Sequence, residues 1–446
     1  MVRFYFLLVL ILSSLNSSSQ VIQTFAGNGS MGFGGEGGMA TDAPIERPDA
    51  IAADRKGNIY IASDINNIIQ RIDTNGRIWR FAGTRISGHS GDGGQATAAN
   101  IAISQGYIGM VIDSIGNLYF SENRRIRKVD TLGFISTIAG NGFNGVSGDG
   151  GPATAAELGY VTSLCFDRRG NLLLMDELSA RIRMISSAGI ITKIAGGGTR
   201  YADNARADTV ALICGGSMIV DEIGNIYFDA GVPMEYHRIR KIGTSGIITT
   251  FAGGGTIFTY CNGCAAHDLR LLTVAGLVVD SSGNIYASES TGNLIHKITP
   301  SGEVYHIAGS GNSGFSGDGG PATAADLRQT RICFDKNGAL LLADSDNYRC
   351  RRITPPFLGI DGILQKELVF RVYPNPLTSN QIEVELESPV SQDAEVIIMS
   401  ITGTILYRER ITTNHHYSIE LELTSGLYIV NVSTHSFRKS SIITRE

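Results

Sequence analysis

Phe or Ile followed by Ala-Gly recurs six times along this chain, with the alanine at Ala26, Ala82, Ala139, Ala195, Ala252 and Ala308, in steps of 56 or 57 residues. A second marker, Asp-x-x-Gly, keeps the same beat at Asp54/Gly57, Asp113/Gly116, Asp167/Gly170, Asp221/Gly224, Asp280/Gly283 and Asp335/Gly338. A third is a short basic strand: Ile69-Gln70-Arg71-Ile72, Ile126-Arg127-Lys128-Val129, Ile182-Arg183-Met184-Ile185, Ile239-Arg240-Lys241-Ile242, Ile295-His296-Lys297-Ile298 and Cys350-Arg351-Arg352-Ile353. Three markers in one fixed order, six times over, make most of the chain an array of a single supersecondary unit. Glycine is abundant, at 55 of 446 residues, yet no Gly-x-y period exists and collagen is excluded. With 43% hydrophobic and only 18% charged residues the chain also lacks the composition of a disordered one.

Each unit parses as four short strands. In the first, Ala50 to Ala53 runs into the Asp54-Arg55-Lys56-Gly57 turn, where Asp can bond its own backbone and Gly supplies a positive φ. Ile59 to Ala62, Ile69 to Ile72 and Ile78 to Ala82 follow, the last two separated by Asp73-Thr74-Asn75-Gly76, a hairpin signal. Four antiparallel strands on this period form the blade of a β-propeller, so the expected class is all-β with six blades. The order of markers also predicts closure. The segment Val21 to Gly27 matches only a fourth strand, and Cys350 to Ile353 is a third strand followed by Pro355-Pro356. The N-terminal strand is therefore expected to complete the sixth blade, leaving no open edge there. Residues 21–356 number 336, six times 56, whereas a linear solenoid would want capping repeats.

The N-terminus carries Arg3, the apolar run Phe4 to Leu12 and then Ser13 to Gln20. A run this short reads as a secretory signal peptide, residues 1–20, since a spanning helix needs about 20 apolar residues. No other stretch is long enough to span a bilayer as a helix. A formal net charge of -5 gives no long-range pull toward nucleic acid.

The repeats resemble the NHL family, best in Gly317-Asp318-Gly319-Gly320-Pro321-Ala322-Thr323-Ala324-Ala325, with residues 148–156 nearly identical and 91–99 close behind. The resemblance implies a propeller fold and, after the second strand, an acidic residue with equivalents in Glu122, Asp176, Glu289 and Asp344; Ser63 and Ala230 depart from it. It implies no single function, because such propellers serve as protein-binding, RNA-binding and sensor modules and as a peptide-amidating lyase. After a linker, residues 357–371, the chain from residue 372 to 446 reads as a small immunoglobulin-like β-sandwich of short strands. Its opening Tyr373-Pro374-Asn375-Pro376 and the later Ser425-Gly426-Leu427-Tyr428-Ile429-Val430 are similar to the C-terminal sorting domain of type IX secretion substrates. That resemblance implies export across both membranes of a Bacteroidetes-type cell and the type IX machinery as a partner.

Candidate chemistry sits in three places. The Gly-rich loops carry Asp92, Asp149 and Asp318, which read as self-bonded loop carboxylates or, alternatively, as part of Ca²⁺ sites wanting six to eight oxygens. Blades four and five replace this loop, bringing Tyr201 and Asp203 in one and Tyr260, Cys261, Cys264, His267 and Asp268 in the other. Such local departure from a repeat marks a place for selective contact. Cys261 and Cys264 are spaced for a local disulfide or half of a zinc site. Cys165 and Cys333 occupy equal places in their repeats and read as buried thiols. Glu122, Asp176, Glu289 and Asp344 suggest an acidic ring near a channel mouth, or acceptors for backbone amides at strand ends. His89, His237 and His267 fall on or near the same loop face. The basic segments recur in every blade, which reads as packing, with stems covering apolar surface, and not as a nucleic-acid surface. No catalytic or metal-binding residue set is assigned. The expectation is a secreted or surface-displayed propeller acting as a non-enzymatic binding module for protein or glycan, with no required cofactor. The alternative is a metal-dependent lyase or lactonase-type hydrolase at the channel, using Ca²⁺ or Zn²⁺.

Overall fold

The computed structural model describes residues 20–103, 108–231, 237–257, 262–328 and 330–354, then 369–373, 377, 380–387, 393–402, 404–412, 415–434 and 438–445. The expected signal peptide, apart from Gln20, and most of the linker 357–371 lie outside the described residues. Two compact units are distinct, Met1–Gly359 and Ile360–Glu446.

The first unit is built from six antiparallel sheets, each with four strands in the order inner to outer. In the first blade these are Pro48–Ala53, Ile59–Ser63, Ile68–Ile72 and Ile78–Ala82. The inner strands of the six blades are Pro48–Ala53, Met110–Ile112, Val161–Phe166, Cys214–Val220, Val274–Val279 and Thr330–Phe334. Each touches the inner strands on both sides, and the sixth touches the first, so the ring is shut. Closure is achieved by Ile22–Ala26, which lies outermost in the sixth blade and pairs antiparallel with Arg349–Ile353, Ile22 opposite Ile353 and Ala26 opposite Cys350. In blades four and five a two-residue strand, Ala205–Arg206 or Cys264–Ala265, adds a fifth member at the outer edge.

The repeat markers each have a local cause. Asp54 Oδ1 accepts the N–H groups of Gly57 and Asn58, both at 2.8 Å, and its Oδ2 accepts the Asn58 amide at 2.7 Å. The same box closes around Asp113, Asp167, Asp221 and Asp280. The alanines of the Ala-Gly marker are fully buried in all six blades. The glycine after each has φ between +85° and +94°, and a Cβ there would strike a backbone carbonyl between the second and third strands: Asn67 for Gly83, Arg124 for Gly140, Asn293 for Gly309. Only glycine meets both demands.

The second unit holds a three-stranded sheet, Val369–Tyr373, Gln381–Glu387 and His415–Glu420, and a four-stranded one. The latter runs Ile405–Thr412, Asp393–Ser400, Gly426–Thr434 and Arg438–Arg445. Ile382, Val384, Val396, Ile398, Val430 and Val432 form their shared core, the face-to-face packing of a β-sandwich. The last strand, Arg438–Arg445, carries Lys439, Ser440 and Ser441 and gives no apolar run for sequence reading to find.

Candidate functional site

The middle cation of the third strand is not a surface group. Arg127, Arg183 and Arg351 are among the largest fully buried side chains, at 0–1% exposure. Each reaches out along its blade to the Gly-rich loop. Arg127 Nη2 meets Asp92 at 2.8 Å, Arg183 Nε meets Asp149 at 3.0 Å, and Arg351 Nη2 meets Asp318 at 2.7 Å. Loop carbonyls accept further bonds from these guanidinium groups, Ser90 for Arg127, Ser147 and Glu157 for Arg183, Ser316 and Asp326 for Arg351. In blade four Asp203 plays the same part for Arg240 at 2.8 Å. In blade five His296 takes the arginine's place in the third strand, and Asn262 in the loop accepts the His306 N–H. Blade one has Gln70 in the third strand and Glu36 in the loop, which accepts the Arg80 N–H. Asp92, Asp149, Asp203 and Asp318 are thus blade-internal counter-ions, which a buried guanidinium requires. The signal was present in the sequence as covariation among repeats, an acid in the loop wherever the third strand has arginine.

Glu122, Asp176, Glu289 and Asp344 are buried at 0–3% exposure. Each accepts a backbone N–H from the segment leading into its own blade: Ala102 at 3.1 Å, Gly159 at 3.0 Å, Leu272 at 3.3 Å and Arg328 at 2.8 Å. Glu122 also takes Arg127 at 2.6 Å and Glu289 takes His296 at 3.0 Å. Burial pushes the Asp344 carboxyl up to about 6, against the pull of Asn347, the Arg328 amide and Arg351. None of the four is among the residues lining the channel cavity of about 250 Å³. Each carboxylate holds a backbone amide at the entry of its own blade. His89 reaches Glu122 at 3.4 Å from the loop side.

The channel mouth carries other residues. Bulges at the start of the inner strands, between Pro48 and Ala50, Val161 and Ser163, and Val274 and Gly276, interrupt the pairing at Asp49, Thr162 and Ala275. From blade six, Arg331 reaches past blade five and donates to the Gly216 carbonyl of blade four at 3.2 Å. On its other side lies Asp49, and behind Asp49 lies Asp64, buried at 6% and 7%. Asp49 Oδ2 and Asp64 Oδ1 are buried and meet no N–H or hydroxyl donor, with the two carboxyls next to each other. Burial first, and then the Asp64 carboxyl, push the Asp49 carboxyl up to about 8. At the far end of this string the Gly216 N–H donates to Asp229 at 3.1 Å, and Asp229 holds His237 Nδ1 at 2.9 Å. That hydrogen bond raises the imidazole pKa, burial opposing it. Asp229 stands one place before Ala230, where blade four departs from the acidic pattern. Asp49, Asp64, Asp229 and Arg331 escaped sequence reading because each occupies a position where the other blades carry unrelated residues.

The replaced loops of blades four and five do come together in part. An open cleft of about 400 Å³ is lined by Asp203, Asn204, Arg238, Thr249, Thr250 and His267, with Gly253 and Gly254 at its floor. His267 and Asp268 are exposed, and Tyr201 is 43% exposed. Tyr260 and Cys261 lie outside the described residues. Cys264 is disulfide-bonded, while Cys165, Cys214, Cys333 and Cys350 are free. Cys165 and Cys333 face the channel cavity, and burial pushes both thiols up. Among the described residues no group of three or more His, Cys, Asp or Glu is placed to hold a metal ion, and no helix is long and apolar enough to cross a membrane.

Residues 371–444 match the family of secretion system C-terminal sorting domains. Among curated proteins the chain is similar to Teneurin-m of Drosophila melanogaster, 27% identical over 239 residues, covering 48% of this chain and 8% of that one. Teneurin-1 of Gallus gallus is 24% identical over 389 residues, covering 76% of this chain and 14% of that one. The chain thus spans a small fraction of these relatives. Among solved structures it is similar to a protein of unknown function from Bacteroides thetaiotaomicron, with TM-score 0.55, 15% identity and 75% and 76% of the two chains covered. An auxiliary nutrient binding protein from Bacteroides ovatus aligns with TM-score 0.53, 14% identity and 76% and 77% covered. These likenesses speak to fold. The sorting domain marks the chain for type IX export to the cell surface or beyond. The chain folds as a closed β-propeller and carries, over residues 371–444, a secretion system C-terminal sorting domain.

Proposed function

We propose that the propeller is a non-enzymatic binding module displayed or released outside the cell, and that its ligand is a glycan held in the cleft of blades four and five. The observation that carries this reading is the cleft itself. Blades two, three and six keep the Gly-Asp-Gly-Gly loop, whereas blades four and five have replaced it, and the replacement encloses about 400 Å³. Its lining alternates donors and acceptors, Arg238, Thr249, Thr250 and His267 beside Asn204, which suits the dense hydroxyls of a sugar. The Cys264 disulfide stiffens the loop next to His267, reducing the entropy lost on binding. The name of the Bacteroides ovatus propeller, an auxiliary nutrient binding protein, is in keeping with a binding role. A glycan array probed with residues 21–356 tests the reading. Binding is expected to fall about tenfold in His267→Ala and Thr249→Ala, each removing one or two hydrogen bonds. Capture of no glycan, together with pull-down of a specific protein, would replace the glycan with a protein ligand.

An enzymatic reading has one observation in its favour, the Asp229–His237 couple at the channel mouth. A buried carboxylate orienting an imidazole is the arrangement of a general base. Turnover of a lactone or ester lost in His237→Ala, with glycan binding unchanged, would establish it.

A further inference from the structure

The second unit has two unlike outer faces. In its three-stranded sheet Ile382, Val384 and Ile419 turn into the core, and the side chains between them are polar. Gln381 Nε2 donates to Glu383 Oε1 at 2.9 Å, and Ser418 Oγ to the same oxygen at 3.0 Å. That alternation is what a sheet with one wet face needs. The four-stranded sheet breaks it. Asp393–Ser400 carries Ile397, Ile398 and Met399 in succession, and Gly426–Thr434 carries Leu427, Tyr428, Ile429 and Val430. Val396, Ile398, Tyr428, Val430 and Val432 fill the shared core, so Ile397, Met399, Leu427 and Ile429 point away from it.

Strand register gathers these residues. Ile405 stands opposite Met399 and Met399 opposite Ile429, while Leu427 precedes Tyr428, which faces Ser400. Ile401 follows in the turn where the Ser400 N–H donates to the Thr404 carbonyl at 2.9 Å. Ile401, Ile405 and Leu427 are 63%, 48% and 47% exposed. One end of this outer face is therefore a contiguous apolar patch, the kind of surface that marks a site of protein interaction. Beside it the face turns basic, with Arg408 opposite Ile397, Arg410 opposite Glu395, and both arginines exposed. Leu427 and Ile429 belong to the Ser425–Val430 segment that carries the likeness to sorting domains. Building the core accounts for its Tyr428 and Val430 but not for the other two. A sorting domain is read by the apparatus that exports it, and these outward residues are what the unit offers for reading.

We propose that this apolar patch with its basic margin is the surface by which the second unit docks on a protein of the secretion system, one whose contact surface is apolar and bordered by carboxylates. The proposal rests on the export reading of residues 371–444 and is independent of the cleft of blades four and five. Leu427→Thr with Ile405→Thr keeps strand propensity while removing apolar surface, and Arg408→Glu with Arg410→Glu inverts the margin. Each double variant of the full chain, expressed in a type IX-competent host, is expected to reach the cell surface or medium about fivefold less, the effect of truncating contact residues at an interface core. The melting temperature and mass of the chain recovered from the periplasm should match wild type. Should the threonine pair unfold the sandwich, Ile401→Thr in the turn, outside any strand, should still lower export about twofold. Undiminished export of these variants, where deletion of residues 372–446 blocks it, overturns the patch and leaves the export reading standing; export of the deleted chain overturns both. A wild-type dimer that becomes a monomer in the threonine variant would assign the patch to a second copy. A lowered melting temperature of the propeller would assign it to this chain's own first unit. Either result overturns the proposal.

Discussion

A buried guanidinium is costly unless every donor is met, and this propeller buries one in four of six blades. In blade three the partners of Arg183 are Asp149 and the carbonyls of Ser147 and Glu157; burial raises the nearby Asp176 carboxyl, and the Arg183 charge is among the groups that oppose this. Removing the cation alone leaves Asp176, fully buried, without that support. Arg183→Gln should therefore destabilise the propeller by about 3–5 kcal/mol. The double change Arg183→Gln with Asp149→Asn removes the cation and its loop counter-ion together, and should recover about 1 kcal/mol or more of that loss. Chemical denaturation of the four members of the cycle measures it; additive effects would show that loop and strand are not coupled. A second residue-scale expectation concerns Asp49. Its pKa is raised from 3.8 when unfolded to about 8 when folded, so the folded state binds the extra proton. The associated stability is whole below pH 3.8 and is lost as pH climbs through about 8. His237, also raised, adds to the decline above pH 6.5. In Asp49→Asn the fall in melting temperature between pH 5 and 8 should flatten; an unchanged slope would place the titrating group elsewhere.

At the scale of elements, what could be read in advance was what repeats. The second and fourth strands of blade one were foreseen to within a residue or two, because alternating apolar residues and an Asp-x-x-Gly turn are local signals. The N-terminal strand was legible for a different reason, as a fourth strand without its first three. The arginine locks were not, because nothing local separates a buried Arg183 from an exposed Lys193; only the loop aspartate, 34 residues away in sequence, does so. The channel mouth was less legible still, since Asp49 and Arg331 become neighbours only when the ring shuts. That closure is testable. Ile22 is fully buried in the cluster formed by blades five and six, where it packs with Ile307, Leu327 and Ile353. Ile22→Ala should cost about 2–5 kcal/mol. Ile86→Ala, on an equally apolar but 63% exposed side chain, should lie within about 0.5 kcal/mol of wild type. Similar values for the two would mean that the first strand adds nothing to the sixth blade.

On the scale of the whole molecule, two units with separate cores divide the work. The propeller covers the outer edge of Arg349–Ile353 with its own Ile22–Ala26, so its stability does not call for the second unit to complete a sheet. The sandwich likewise satisfies its strands within its own two sheets. Separate cores make the sorting domain removable without unfolding what it carries, which suits an address used once in export. Deleting residues 372–446 should therefore leave a propeller with the melting temperature and glycan binding of the full chain, but retained in the periplasm. Fusing residues 360–446 to an unrelated periplasmic protein should have the opposite effect and bring that protein to the cell surface or medium. Cell fractionation in a type IX-competent host reads both. Release of the truncated propeller at the normal rate would show that the address lies elsewhere in the chain, and loss of its melting transition would show that the two cores are not independent.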